Sequence, residues 1–392
     1  MVRASITELL ASINRDALIA RAEELRGGRI KCTLEFPPSR TSPSSHSSSY
    51  YHAFLNFADG DTWLAQFSLN TQNHPRQRQI NYIRRSEYAT YAALARTTVP
   101  APKVFGVADD GDPRNRVGPG YILIEKLLGS PLPLGDLDGK HEDDLPRQDE
   151  ALYQQFADIH IALSKMSFDR IGTLQLSTLG EVEVGAAYFE YSPAGEATPR
   201  GPFSTTDEAY KDMIRMSMKV LREEEEAAGA ARSRRREDGF RFTHERLDSY
   251  LALRTLLDHL PPNDHGPFYL RHCNLHGGNV FVDDSGHITG IVGWQSGFVM
   301  GRHAAFESPY VLEEYLRFAD VLQDRGEEEL ANAAVNLRHT LFENLVRADP
   351  YDEERFTRAL MWWWKAETKR ERFDYKKWWD EAFEKYGDGS GS

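Results

Sequence analysis

The chain has 392 residues, 40% of them hydrophobic and 11% aromatic, with 47 Lys+Arg against 60 Asp+Glu for a formal net charge of −13. That apolar content supplies a packed core and excludes a chain disordered throughout, while the length suits two or three domains or one large two-lobed unit. The acidic balance excludes a general nucleic-acid binder, which needs a basic field, and two cysteines, Cys32 and Cys273, exclude a disulfide framework and a Cys-rich zinc module.

No apolar run reaches the ~18 residues of a membrane span. Asn14, Arg15 and Asp16 interrupt the start where a secretion signal needs an unbroken apolar stretch. The expected location is therefore the cytoplasm, with neither membrane nor nucleic acid as partner. Ile6, Leu9, Leu10, Ile13, Leu18 and Ile19 recur at helical spacing, predicting one helix over 5–25 that Gly27-Gly28 stops. Pro37–Ser49 is a polar, serine-rich loop. Tyr51–Phe57 and Thr62–Ser68 read as strands joined through Asp59-Gly60, a hairpin signal. Arg84–Leu94 reads as a helix, Lys103–Val107 as a strand after Pro100 and Pro102, and Tyr121–Glu125 as a buried strand.

Beyond about residue 130 the chain is expected to be mostly helical. Leu152–Met166 is amphipathic through Phe156, Ile159 and Leu163. The opposed blocks Glu223–Glu226 and Arg232 with Arg234–Arg236 read as a solvated helix pair or loose loop, with a partner-docking arm as the alternative. Trp362, Trp363, Trp364, Trp378 and Trp379 sit at helical spacing and are expected to pack a core. The tail Gly387–Ser392 is expected to be flexible.

Phe268–Gln295 carries the most information. It reads strand, tight loop, strand, turn at Asp283-Asp284-Ser285-Gly286, strand, and then Gly293-Trp294. The loop His272-Cys273-Asn274-Leu275-His276-Gly277-Gly278-Asn279 sets polar side chains between apolar strands, where sites tend to be placed.

Here the chain resembles the aminoglycoside phosphotransferase and choline kinase family, whose loop runs His-x-Asp, four residues, Asn, then a strand and Asp-Trp. This chain has His272-x-Asn274-x4-Asn279 and then Gly290-Ile291-Val292-Gly293-Trp294. Ser167–Leu174, Arg200–Ser204 and Val99–Val104 look like the fungal branch of that family. The likeness covers roughly residues 45–345. It implies an α+β, two-lobed protein-kinase-like fold: an N-terminal helical extension at 1–29, an antiparallel-sheet N-lobe with one helix at 30–128, and a helical C-lobe at 129–392. The hinge falls at Glu125–Gly129, and the catalytic-loop-like segment at 268–295.

Phosphoryl transfer in such a fold is mostly positioning and electrostatic stabilisation. It calls for a loop carboxylate on the substrate hydroxyl and a second carboxylate that holds Mg²⁺ with the loop Asn. It also calls for a strand cation paired with a helix Glu, and a flexible cover over the phosphates. At those places the sequence has Asn274, Gly293 beside Asn279, Gln66 with Glu87, and the serines of Thr41–Ser49. An amide is not a base at neutral pH, and glycine offers Mg²⁺ nothing. His276 could move a proton near neutrality, and His272 is expected to brace the loop. His276, Asn274 and His272 are thus the candidate catalytic residues. Gln66, Glu87, Asn279, Gly293, Trp294 and Glu307 mark the former nucleotide and metal positions as candidate ligand contacts, with Trp294 expected to pack under the loop and Glu307 expected to face the cleft. His272, His276, His287 and His303 lack a carboxylate motif and are not read as a metal site.

The expectation is a degenerate family member with no cofactor and a small-molecule ligand, carrying out non-phosphoryl chemistry such as cyclisation or isomerisation. A pseudokinase scaffold with a protein partner is one alternative. A residual phosphotransferase using Asp283, Asp284 or Glu307 is the other.

Overall fold

The computed structural model describes residues 2–37, 50–69, 77–132, 150–191, 196–232, 244–309, 311–312, 314–346, 353–369 and 372–386. The serine-rich loop, Arg234–Arg236 and the tail lie outside the described residues.

The N-lobe opens with α1 (Val2–Ser12) and α2 (Arg15–Leu25), where the sequence predicted one helix. Asn14 is the reason for the break. Its side chain accepts from Ala17 N at 3.1 Å as the N-cap of α2, and its own N–H is held by Val117 O at 2.8 Å. Strands β1 (Cys32–Glu35), β2 (Tyr50–Phe57) and β3 (Thr62–Ser68) come next, then α3 (Gln77–Leu94), β4 (Val104–Ala108) and β5 (Tyr121–Glu125). The strands form one antiparallel sheet in the order β1-β2-β3-β5-β4.

Strand periodicity divides the sheet into two faces. Tyr51, Ala53, Leu55, Phe57, Trp63, Ala65 and Phe67 pack with Ile6, Ile13, Leu18 and Ala22 of the first two helices. The N-terminal helices are therefore a layer of the N-lobe core and not an appendage. The residues in between, including His52 and Gln66, point to the α3 side.

The chain crosses to the C-lobe at the predicted hinge. Gly129 has φ +91°, and a Cβ there would meet Val282 O at 2.1 Å, so only glycine fits. Beyond it, β6 (Ser130–Pro131) pairs with a C-lobe strand. The amphipathic segment is α4 (Glu150–Ser164). Next come β7 (Ser167–Phe168), β8 (Leu174–Leu176), β9 (Val182–Val184), β10 (Tyr188–Tyr191) and β11 (Ala197–Arg200), where mostly helix was expected. They make the hairpins β8–β9 and β10–β11.

Helices α5 (Thr206–Arg232) and α6 (His244–Leu257) lead to β12 (Phe268–His272), β13 (Val280–Val282), β14 (Ile288–Ile291) and β15 (Gly297–Met300). Strand β12 lies between β15 and β7, and β13 between β14 and β6. The chain ends in α7 (Arg302–Ala305), α8 (Tyr315–Asp324), α9 (Glu328–Ala334), α10 (Leu337–Val346), α11 (Glu353–Thr368) and α12 (Tyr375–Tyr386). Trp363 and Trp378 are buried in the core of these last helices with Leu345 and Leu256, as expected, while Trp362 stays half exposed. Cys32 and Cys273 are both free thiols. Among the described residues no helix is long and apolar enough to cross a membrane.

Candidate functional site

Strand β12 is buried along its whole length and delivers the loop of residues 273–279 to the surface. His272, at the end of the strand, is buried with its ring edge-on to Trp294, the centroids 4.7 Å apart. Its Nε2 lies 2.9 Å from Val292 O, and its Nδ1 accepts from Asn274 N–H at 3.3 Å. A neutral ring with the proton on Nε2 satisfies both bonds. Burial pushes the ring pKa down to about 4, so His272 holds the loop ends together and stays uncharged. Trp294 is buried under the loop as expected, with its indole N–H on Ile291 O at 3.0 Å.

Asn274 and His276 are both exposed on the loop, and Asn279 is half-buried between them. Asn279 Nδ2 donates to the Asn274 carbonyl at 2.8 Å and lies 3.2 Å from His276 Nε2. His276 Nδ1 accepts from Gly278 N–H at 3.1 Å, capping the short 3-10 turn Gly277–Asn279. A neutral imidazole has one acceptor nitrogen, so the Gly278 and Asn279 donors compete for it. With the cap made, Nε2 carries the proton on the exposed side of the loop.

Gly293 stands directly across from Asn279. Its φ of +87° is the left-handed conformation that favours glycine, and a Cβ built there would meet the Asn279 side-chain amide at 3.1–3.2 Å. The two positions the sequence assigned to a metal pair are therefore neighbours in space, and one of them has no side chain.

Gln66 and Glu87 are also brought together, in the N-lobe. Gln66 Nε2 donates to Glu87 Oε2 at 2.9 Å, and Gln66 Oε1 lies 3.3 Å from His52 Nε2. The hydroxyls of Tyr50 and Tyr91 lie beside the same carboxyl. Tyr91 also lies beside the backbone of Gly293 and Trp294, although its hydroxyl and Glu87 Oε1 make no hydrogen bond among the described residues. Buried polar groups thus cluster from the sheet across α3 toward the turn after β14. Burial raises the Glu87 pKa to about 7, outweighing the hydrogen bonds that lower it. Gln66 and Glu87 are both buried, so the structure turns them toward each other and not toward the cleft.

Glu307 is the clearest correction among the candidate residues. It does not face the cleft but is buried in an ion pair with Arg271, the residue before His272. Arg271 also pairs with Glu343, whose Oε1 accepts from Tyr210 Oη at 2.7 Å. His339 Nε2 lies 2.8 Å from the same Tyr210 oxygen. Sequence reasoning missed Arg271, although a charge inside an otherwise apolar strand was its visible signal. Asp283, an alternative acid, is spent on its turn. It accepts from Ser285 N at 2.9 Å and His287 N at 3.0 Å, and the His287 bond foremost holds its pKa below the usual carboxylate range.

A second buried histidine, His160 on α4, lies near the same loop. It packs edge-on to Phe318, and burial pushes its pKa down to about 4. His160 and His272 both have folded pKa values below the unfolded 6.5. Their contribution is complete above pH 6.5 and is lost as pH falls from there through about 4, at about 1.4 kcal/mol per pH unit for each proton. His160→Phe is expected to remove one proton's share of that acid slope. Urea titrations at pH 6.5, 5.5 and 4.5 measure it, and an unchanged slope would contradict the assignment.

A small antiparallel sheet with a packed helix, a hinge pinned by glycine, and a strand–loop–strand unit leading to a helical lobe define a protein-kinase-like phosphotransferase fold. Residues 71–300 match the phosphotransferase enzyme family known as APH, and the chain belongs to that family. Among solved structures, a Ralstonia eutropha protein assigned as an aminoglycoside phosphotransferase is 12% identical and has a TM-score of 0.50. That match covers 92% of this chain and 100% of that one. A Thermobifida fusca protein assigned as a fructosamine-3-kinase is 16% identical, with a TM-score of 0.49 over 89% of this chain and 98% of that one. A macrolide 2′-phosphotransferase from Brachybacterium faecium is 15% identical, with a TM-score of 0.41 over 92% and 99%. No curated protein matches the chain.

Proposed function

We propose that this family member no longer performs Mg-ATP-dependent phosphoryl transfer. Its cleft at the 272–279 loop instead holds a small organic molecule for a non-phosphoryl reaction, a cyclisation or isomerisation in natural-product metabolism. The observation that carries this reading is the Asn279–Gly293 pair, adjacent in space and without a carboxylate. Mg²⁺ held against phosphates usually needs one or two carboxylates. Here Asn279 Nδ2 donates to the Asn274 carbonyl, which leaves its Oδ1 as a single neutral side-chain oxygen, and Gly293 supplies no side chain at all. One neutral amide oxygen without a carboxylate does not fit Mg²⁺.

Two further features support the reading. Asn274 cannot act as a base at neutral pH, and loss of a general base costs about 10²–10⁴-fold on its own. Gln66 supplies Glu87 with an amide where phosphate binding calls for a cation. What remains on the exposed loop is His276, able to give or take a proton, and Asn274, able to orient a carbonyl or hydroxyl. His272 acts through them as a positioning residue. A rigid pocket with a few such groups accelerates an intramolecular reaction by holding one reactive conformer.

Thermal denaturation with ATP, with and without Mg²⁺, tests the proposal. A ligand at 100 times its Kd adds about 2.7 kcal/mol to stability. No Mg²⁺-dependent rise in Tm is expected. A rise accompanied by ATP consumption would restore the phosphotransferase reading. The fungal affinity, the cytoplasmic location and a small-molecule ligand as partner belong to the same proposal, with a protein partner left open.

A further inference from the structure

A groove of about 840 Å³ lies away from the loop. It lies between the C-terminal end of α3, the C-terminal half of α4, and strands β7 and β9. Ala162, Met166, Phe168 and Val182 give it an apolar floor. Phe168 comes from the Ser167–Leu174 stretch, a sequence motif that the loop site leaves without a role.

The rim is charged. Arg96 and Lys165 stand on it, both exposed, and among the described residues neither has a side-chain partner. Thr98 adds a hydroxyl. The rim carboxylate, Asp158, is already paired with Arg325 and does not neutralise them. The volume is that of a small-molecule site, and such sites combine an apolar lining with a few polar groups that fix orientation. An apolar floor under two unpaired cations is complementary to a ligand with an apolar body and one negative head.

We propose that this groove is a second ligand site, for an amphipathic anion: an aromatic or aliphatic body carrying one carboxylate, sulfonate or phosphate. The groove shares α4 with the loop. Asp158, Ile161 and Ala162 face the groove, while Ile159, His160 and Leu163 line the small space under His272 and Trp294. Helix α3 is shared as well, since Ala93 lines the groove and the same helix packs on the turn at Trp294–Ser296. Ligand in the groove therefore bears on both helices that carry the loop's supports.

The test uses the full chain and two probes of similar size. 1-Anilinonaphthalene-8-sulfonate is an apolar anion, and N-phenyl-1-naphthylamine is its neutral counterpart. Fluorescence titration is expected to show saturable binding of the sulfonate, at least about tenfold tighter than the amine. The double variant Arg96→Glu/Lys165→Glu changes only exposed side chains and so leaves the fold intact. It is expected to weaken sulfonate binding at least about tenfold while leaving the amine within about twofold. Ala162→Phe, which fills the floor, is expected to weaken both probes. Equal affinity for the two probes, or sulfonate binding unchanged by the charge reversal, overturns the proposal. The readout is binding alone and stands whether or not the loop site transfers phosphate.

Discussion

Arg271→Met is expected to destabilise the protein by about 3–5 kcal/mol, the usual cost of removing one partner from a buried ion pair. Arg271 lies between Glu307 and Glu343, and all three are buried. Without the guanidinium, two carboxylates are left in an apolar interior with only their remaining hydrogen bonds. The triple variant Arg271→Met/Glu307→Gln/Glu343→Gln removes all three charges while keeping side-chain volume and the acceptor that Tyr210 uses. It is expected to recover most of the loss, because a buried ion network and a neutral replacement often differ little. Urea unfolding followed by tryptophan fluorescence measures both. If the single variant costs less than about 1 kcal/mol, the ion network is not structural. The loss should also reach the loop, since Arg271 precedes His272 and fixes the end of β12 from which the loop departs.

Glu87→Gln is expected to stabilise the protein at pH 8 by about 3 kcal/mol and to leave it nearly unchanged at pH 4.5. The sign follows from the raised pKa. Folded Glu87 titrates at about 7 and the unfolded residue near 4.5, so between those values the folded state holds one more proton. Its contribution is complete below pH 4.5, declines at about 1.4 kcal/mol per unit, and is lost above pH 7. The amide keeps the acceptor that Gln66 needs and has nothing to ionise. The two buried histidines slope the opposite way over pH 4–6.5, so the informative quantity is the difference between variant and wild type, in which they cancel. A difference that does not grow from pH 4.5 to 8 would mean that Glu87 is ionised throughout. An arginine or lysine at position 66 would remove the same slope by the opposite route, pairing with the carboxylate and holding it charged.

The strands of the N-lobe were legible because period-two alternation is a local property. Thr62–Ser68 and Tyr121–Glu125 fall where the sequence places them. The Gln66–Glu87 contact was legible only through the family resemblance, which pairs a strand position with a helix glutamate. The split at Asn14 was not, since the capping bond is local but the chain's turn depends on Val117, which arrives from a distant loop. The hairpins between 174 and 200 escaped because strands of three or four residues carry too little pattern, and Pro199 argues against a strand altogether. At the site, the identities of Asn274, Asn279 and Gly293 and their order came from the motif. The inward turn of Glu307 did not, because an acidic residue just past a short helix says nothing of an arginine awaiting it on β12.

Tyr82, near the start of α3, reaches into the C-lobe. Its hydroxyl donates to Ala186 O at 2.9 Å and accepts from Thr173 at 3.1 Å, while its ring packs edge-on against Phe189 of β10. On its other side α3 is tied to the N-lobe through Arg84 with Asp110 and Arg85 with Asp109. The helix is an axle with a bearing in each lobe. Opening the lobes like a book would break one bearing or the other, so α3 resists that motion and couples the two halves through a common shaft.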